Sequence, residues 1–157
     1  MILLPHFVQL PEFKKLIFNN NHKYSKGEIM PLDIAYPNNG EGIEVRALGH
    51  INPNEILKAY SEIYSEESIK KRKYFLVDRS GCKEKSMSSA GIQEIAACDR
   101  LALDVNPNLI IAHIAPTDFQ YGLTRMWEAH VGYNKFSIKI FRDRKNAEAW
   151  IKSKLKN

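Results

Sequence analysis

One unit recurs through the stretch from Asp78 to Trp150: a short buried strand, a loop opening on a polar capping residue, and an amphipathic helix. Tyr74-Phe75-Leu76-Val77 and Leu109-Ile110-Ile111-Ala112 are apolar throughout, and Ser137-Ile138-Lys139-Ile140-Phe141 is a close third. Strands with one wet face alternate in polarity, so runs without alternation belong to strands covered on both sides. With a helical pattern after each, they predict an α/β sheet whose three apolar strands lie side by side and run the same way.

A chain of 157 residues is one domain by length and long enough to bury a core without staples. Its net charge of +5, from 23 basic against 18 acidic residues, is spread over many segments, which permits acidic partners without implying them. Lys70-Lys71-Arg72-Lys73 is the densest basic run, but no stacking aromatics or second such run accompany it. A solvated connection is therefore expected there, and no nucleic-acid partner. Cys82 and Cys98 form no CxxC pair, so reduced thiols in a cytoplasm are expected.

Catalytic and cofactor signatures are missing from the sequence. There is no Gly-x-Ser-x-Gly elbow, no Gly-x-Gly-x-x-Gly and no Walker loop, and His50 and His130 lack metal-ligand spacing. No catalytic residue, metal or cofactor is expected. His113 falls within a buried strand, where a hydrogen-bonded core histidine is expected. Cys82, near Arg79, Lys83 and Lys85, is placed for a lowered thiol pKa.

At the amino-terminal end, Met1-Ile2-Leu3-Leu4 is interrupted by Pro5 and His6, and no basic region precedes it. Neither a secretory signal nor a membrane span is expected. The polar stretch 19–28 reads as a linker, dividing the chain into an extension, 1–29, and a single domain, 30–157. Lys26-Gly27-Glu28-Ile29 back-translates to a purine-rich run ahead of Met30, which makes Met30 a candidate natural start. The alternative is a short helix, Pro11 to Phe18, docking Phe13, Leu16 and Ile17.

Within the domain, Leu32 to Tyr36 and Gly42 to Leu48 flank Pro37-Asn38-Asn39-Gly40, a hairpin signal. Asn52-Pro53-Asn54-Glu55 opens a helix through Tyr64 that buries Ile56, Leu57, Tyr60 and Ile63 or Tyr64. Ser88 or Ser89 caps a helix with Ile92, Ile95, Ala96, Leu101 and Leu103 as its apolar positions. Thr117-Asp118-Phe119-Gln120 is a second capping box, before a helix with Met126 and Trp127 in the core. Asp143 caps a closing helix built on Ala147, Trp150 and Ile151. The total is a mixed sheet of about five strands, a β-hairpin start followed by β-α repeats, with about four helices.

Tyr121-Gly122-Leu123-Thr124-Arg125-Met126-Trp127-Glu128, then Phe141-Arg142-Asp143, Ala147, Ala149 and Trp150-Ile151, resembles the closing signature of small bacterial STAS/SpoIIAA-like proteins. The similarity spans most of Leu32 to Ile151, the first half mainly in element order. It implies a fold shared with anti-sigma-factor antagonists and loosely with lipid-carrying CRAL-TRIO domains. In the antagonists a kinase phosphorylates a serine of an Asp-Ser-Ser-Gly motif. Met87-Ser88-Ser89-Ala90-Gly91 is similar, but Met87 stands in the aspartate's place and Ala90 precedes the glycine. The resemblance thus makes Ser88 and Ser89 candidate phosphorylation sites.

Two functions follow as expectations. The first is a non-enzymatic regulatory domain of the STAS-like type acting on a protein partner, with a homodimer as one form. The second is a small-molecule or lipid-binding domain. Asp78 and Arg79 end one predicted strand, Thr117 and Asp118 follow the next, and Tyr121 and Arg125 lie on the helix after it, so a parallel sheet brings them to one edge. An apolar cavity below, lined by Met87, Phe119 and Trp127, would suit an amphiphilic anion with its head at Arg79 or Arg125.

Overall fold

The computed structural model describes residues 32–83, 88–132 and 137–157. The expectations for 1–29, including the Met30 start and the Pro11 to Phe18 helix, and for Met87 lie outside these residues.

The hairpin forms first along the chain. Strand β1, Leu32–Ala35, pairs antiparallel with β2, Gly42–Gly49, in the register Leu32 with Ala47 and Ala35 with Glu44. In the turn between them, the amide of Glu41 donates to the Asn38 carbonyl at 3.1 Å, and the enclosed Asn39 and Gly40 sit at φ 55° and 84°. Two central residues at positive φ match the twist of the flanking strands. The Asn38 amide donates to the Tyr74 hydroxyl at 2.8 Å, drawing that ring over Gly42, where a Cβ would lie 2.2 Å from it.

Helix α1, Pro53–Ile63, has the predicted capping box of Asn52 and Glu55. A short helix not expected from the sequence, α2, Glu66–Lys71, follows. Strand β3, Tyr74–Cys82, runs parallel to β2, and α3, Ser89–Val105, leads to β4, Ile110–Ile114. Helix α4, Asp118–Val131, capped by Thr117 and Gln120, leads to β5, Ile138–Phe141, and α5, Arg144–Leu155, opens on Asp143. The sheet order is β1-β2-β3-β4-β5, with β2 to β5 mutually parallel. The three apolar runs ending at Val77, Ala112 and Phe141 are therefore adjacent and codirectional, as expected.

Alternation along the strands divides the interior into two layers. Val45, Phe75, Val77 and Ile111 meet α1, α3 and α4 through Tyr60, Ile63, Leu103 and Trp127 in the larger core. Tyr74, Leu76, Ala112 and Ile114 point the other way, onto Ala147 and Ile151 of α5. On that second face β2 places Glu44 and Arg46, and Arg144, at the start of α5, holds Glu44 of β2 at 2.6 Å and Asp78 of β3 at 2.7 Å.

Three details depart from the sequence-based expectation. Asp78-Arg79-Ser80-Gly81 is strand and not loop, because β2 is long enough to keep pairing with β3 past an irregularity between Arg46 and Leu48. Met126 is exposed and not in the core, since α4 turns only one stripe inward. The basic run belongs to α2 and its end, where Lys70 pairs with Glu66, Lys71 with Glu67 and Lys73 with Glu41 at 2.6–2.7 Å, while Arg72 donates to the Gly40 carbonyl. Among the described residues no helix is long and apolar enough to cross a membrane.

Candidate functional site

A cavity of about 40 Å³ lies inside the larger core, between the sheet and helices α1, α3 and α4. Its walls are mostly aliphatic, from Leu32, Val45, Ala47, Ile51, Ile92 and Ile95, and two side chains of different character project among them: Arg79 and His113. Their proximity follows from register. His113 of β4 stands opposite Val77 of β3, and Arg79 is two residues further along β3, on the same face.

His113 is 3% exposed, and among the described residues neither ring nitrogen has a hydrogen-bond partner. The expected hydrogen-bonded core histidine is thus half right: buried, but unsatisfied. Burial, and then the nearby Arg79 cation, hold its pKa well below the usual imidazole value. The ring is neutral near pH 7, with one nitrogen a donor and the other an acceptor. It lies against the Trp127 indole, ring centroids 4.1 Å apart.

Arg79 is 8% exposed, and its Nη1 donates to Thr124 Oγ1 at 3.2 Å. Thr124 in turn donates to the Gln120 carbonyl at 2.7 Å, and the Gln120 amide donates to the carbonyls of Arg79 and Cys82. Residues of α4 thereby fasten the end of β3. Cys82 lines the same cavity, but burial pushes its thiol pKa up and Arg79 only partly opposes this, so the expected lowering is not found.

Behind Trp127 lies a second buried polar group. Asp99 of α3 is fully enclosed, and it accepts from Trp127 Nε1 at 2.8 Å and from the Tyr64 hydroxyl at 2.5 Å. Burial outweighs both bonds and raises its pKa to about 7. Cavity, His113, Trp127, Asp99 and Tyr64 form one contiguous row through the core.

The residues expected to share a ligand site are divided between two faces of the sheet and the outside of α4. Asp78 faces α5, held by Arg144 and by the Ser80 hydroxyl at 2.6 Å, whereas Arg79, one residue on, points into the cavity. Thr117 caps α4. Asp118 and Tyr121 do meet, around Arg142: its guanidinium is 2.9 Å from the Asp118 carboxylate and 4.1 Å above the Tyr121 ring. Arg125 lies on the outer surface, paired with Glu128. Of the expected lining, Trp127 is present, while Phe119 is 58% exposed. Ser88 is the cap of α3, its Oγ accepting from the Gly91 amide at 3.0 Å, and Ser89 is an exposed first helical residue.

His113 and Asp99 were missed as site residues. Asp99 had a visible signal: it falls in step with Ile92, Ile95, Ala96 and Leu103 on the buried stripe of α3. A carboxylate at such a position needs buried donors. Among the described residues there is no cluster of three or more metal-ligating side chains.

No family model matches the chain, and no curated protein matches it in sequence. Solved structures do match in shape. The unphosphorylated form of the anti-sigma factor antagonist SpoIIAA aligns with a TM-score of 0.53 at 10% identity, over 78% of this chain and 96% of that one. A protein of the DUF3478 family with a SpoIIAA-like fold, from Shewanella loihica PV-4, aligns with a TM-score of 0.47 at 18% identity, over 82% of this chain and 99% of that one.

Proposed function

From the SpoIIAA-like fold of this chain as the premise, we propose a non-enzymatic regulatory domain that takes a small molecule in the cavity between its sheet and helices α1, α3 and α4. One observation carries this reading: His113, which lines that cavity, keeps both ring nitrogens buried without a hydrogen-bond partner among the described residues. Each costs about 1–3 kcal/mol while unmade, and an occupant with complementary groups removes the cost. Such groups are tolerated in native interiors chiefly where something fills them. Cys82 and Cys98 are buried with raised pKa values, and the Ser88 oxygen is engaged in its cap.

Native mass spectrometry of freshly purified chain is expected to find an adduct that disappears on denaturation. Ala47→Leu, which extends a side chain into the cavity, is expected to displace it while the chain stays folded. Equal native and denatured masses in both proteins would remove this reading.

A second reading, contact with a second copy, has its own support on the outer face of α4. Phe119, Gly122, Met126 and Ala129 are all exposed and recur at helical spacing, so one stripe of that helix is apolar and wet. The Arg125–Glu128 pair borders the stripe, and an antiparallel copy would set each charge against its opposite across a two-fold axis. Sedimentation equilibrium is expected to show a dimer that Phe119→Asp converts to monomer. A native chain that stays monomeric at about 100 μM, weaker than most specific pairs, counts against it.

A further inference from the structure

We propose that the outer face of α5 is a docking surface for the phosphate backbone of a nucleic-acid duplex, bound without regard to base sequence. It lies on the side of the sheet away from the cavity, so it stands or falls apart from the ligand reading.

Charge distribution comes first. Residues 138–157 carry seven basic side chains and two acidic ones, a surplus equal to the net charge of +5 for the whole chain. The positive charge is therefore not evenly spread: β5, α5 and their junction hold all of the excess. Both acidic side chains of this segment are already engaged, Glu148 with Arg144 and Asp143 with the Asn146 amide at the helix start. Lys139, Lys145, Lys152 and Lys156 are exposed and form no ion pair among the described residues.

Helical spacing sets these cations in a row. Ala147 and Ile151 turn α5 onto the sheet, which leaves Lys145, Lys152 and Lys156 along the opposite side, with the small Ala149 exposed among them. Lys139 joins from β5. It pairs in register with Ala112, which faces α5, so it emerges on the same side of the sheet, its Nζ 5.5 Å from the Phe141 ring. From Lys145 to Lys156 the row is about 16 Å long at about 1.5 Å per residue. One strand of a duplex presents a phosphate about every 3.4 Å of axis, so the row faces about five of them.

What the surface lacks selects the partner. A protein contact draws on an apolar centre with aromatic or arginine anchors, and a bilayer contact on apolar side chains that insert. The row has neither. Leu155, the exposed large apolar residue of α5, is seven residues beyond Glu148 and shares its flank. Trp150 and Phe141 are half-buried against each other, ring centroids 5.7 Å apart, and so offer no stacking platform to the bases of a single strand. Arg142 is held by Asp118, and Arg144 by Glu44 and Asp78, which leaves no guanidinium fork in the row to read a base edge. Lysine point charges without such readers bind the backbone alone. The expectation of no nucleic-acid partner was built on Lys70 to Lys73, whose lysines are paired with glutamates. The row on α5 is a separate surface.

Fluorescence anisotropy of a short labelled DNA duplex of mixed sequence, titrated with the full chain, tests this. Binding is expected to weaken with salt at a log–log slope of about −3 to −4, four lysines at about 0.9 each. Combining Lys145→Gln, Lys152→Gln and Lys156→Gln is expected to cut the slope to about −1 and the affinity at least about tenfold, with the circular dichroism spectrum unchanged. Lys70→Gln with Lys71→Gln removes charge elsewhere and is expected to change neither. An equal loss from that control, or a slope that the triple variant does not reduce, overturns the proposal. Three comparisons on the native chain need no variant: poly-glutamate, phosphatidylglycerol vesicles or single-stranded DNA bound more tightly than the duplex at about 0.1 M salt each overturns it, as does a duplex that is not bound.

Discussion

Replacing Trp127 with alanine is expected to cost about 3–5 kcal/mol of folding stability, at the upper end for a single core truncation. The indole is 3% exposed, lines the cavity, packs on His113 and donates to Asp99. Its loss removes a large apolar surface, enlarges an existing void and leaves a buried carboxylate with one donor fewer. Trp127→Phe restores most of the volume but not the N–H, so it isolates the hydrogen bond at about 1–3 kcal/mol. Urea unfolding of the three proteins measures this. A cost for Trp127→Ala below about 1 kcal/mol would mean that the row from His113 to Tyr64 is not a packed unit.

Asp99→Asn is expected to change how stability depends on pH. Burial raises the Asp99 carboxyl to about 7 in the folded chain, against an ordinary value of 3.8. Between those values the native state keeps a proton that the unfolded chain has released, so this group's contribution falls as pH rises, by at most about 1.4 kcal/mol per unit, and is lost in full above 7. His113 has the opposite sign: its folded pKa is depressed, so its contribution grows as pH rises toward 6.5. The two slopes oppose each other over the mildly acid range. Tyr60, Tyr64 and Cys98, which surround Asp99, have raised pKa values and do not titrate there. Glu44 and Asp78 are held low by Arg144 and Ser80, so their contributions are lost only at lower pH.

In the asparagine variant the amide oxygen can accept from Trp127 and the amide nitrogen can donate to Tyr64, so the bonds persist without the ionisation. Its stability is expected to gain steadily on the native protein from pH 5 to pH 7 and to hold a constant lead above. A lead that does not grow across that window would show Asp99 to be ionised throughout it.

Much of the fold was legible because local signals and burial agreed. Asn52 with Glu55, Thr117 with Gln120, and Asp143 each mark a helix start in the sequence and each is a cap in the structure. Helix α2 is hidden in the sequence by the Lys70 to Lys73 charge run, although Ser65 before Glu66 and Glu67, with lysines four residues on, is a capped short helix. The candidate site was less legible. Asp78 and Arg79 were grouped because they adjoin, on the assumption of a loop. Continuation of β3 to Cys82 sends them to opposite faces. Strand length depends on what the neighbouring strand offers, and β2 lies more than thirty residues away in sequence. Thr117 is tied to Gln120 by the capping box already visible in the sequence, whereas Arg125 looked available for a ligand because a sequence does not display Glu128 as its partner. His113 could be placed in a strand, but whether its nitrogens find partners is decided by α4, not by β4.

Arg144 adds a consequence for how the chain is made. Strands pair in the order in which they are synthesised, so each can join a finished neighbour, and the helices between them cover one side as assembly proceeds. The opposite side waits. Leu76, Ala112 and Ile114 stay bare until α5 emerges, and Arg144 then bridges back to Glu44, one hundred residues earlier. During that interval a nascent chain carries a greasy, half-roofed sheet. It is the form most in need of a chaperone, and release before α5 is complete would favour clumping over activity.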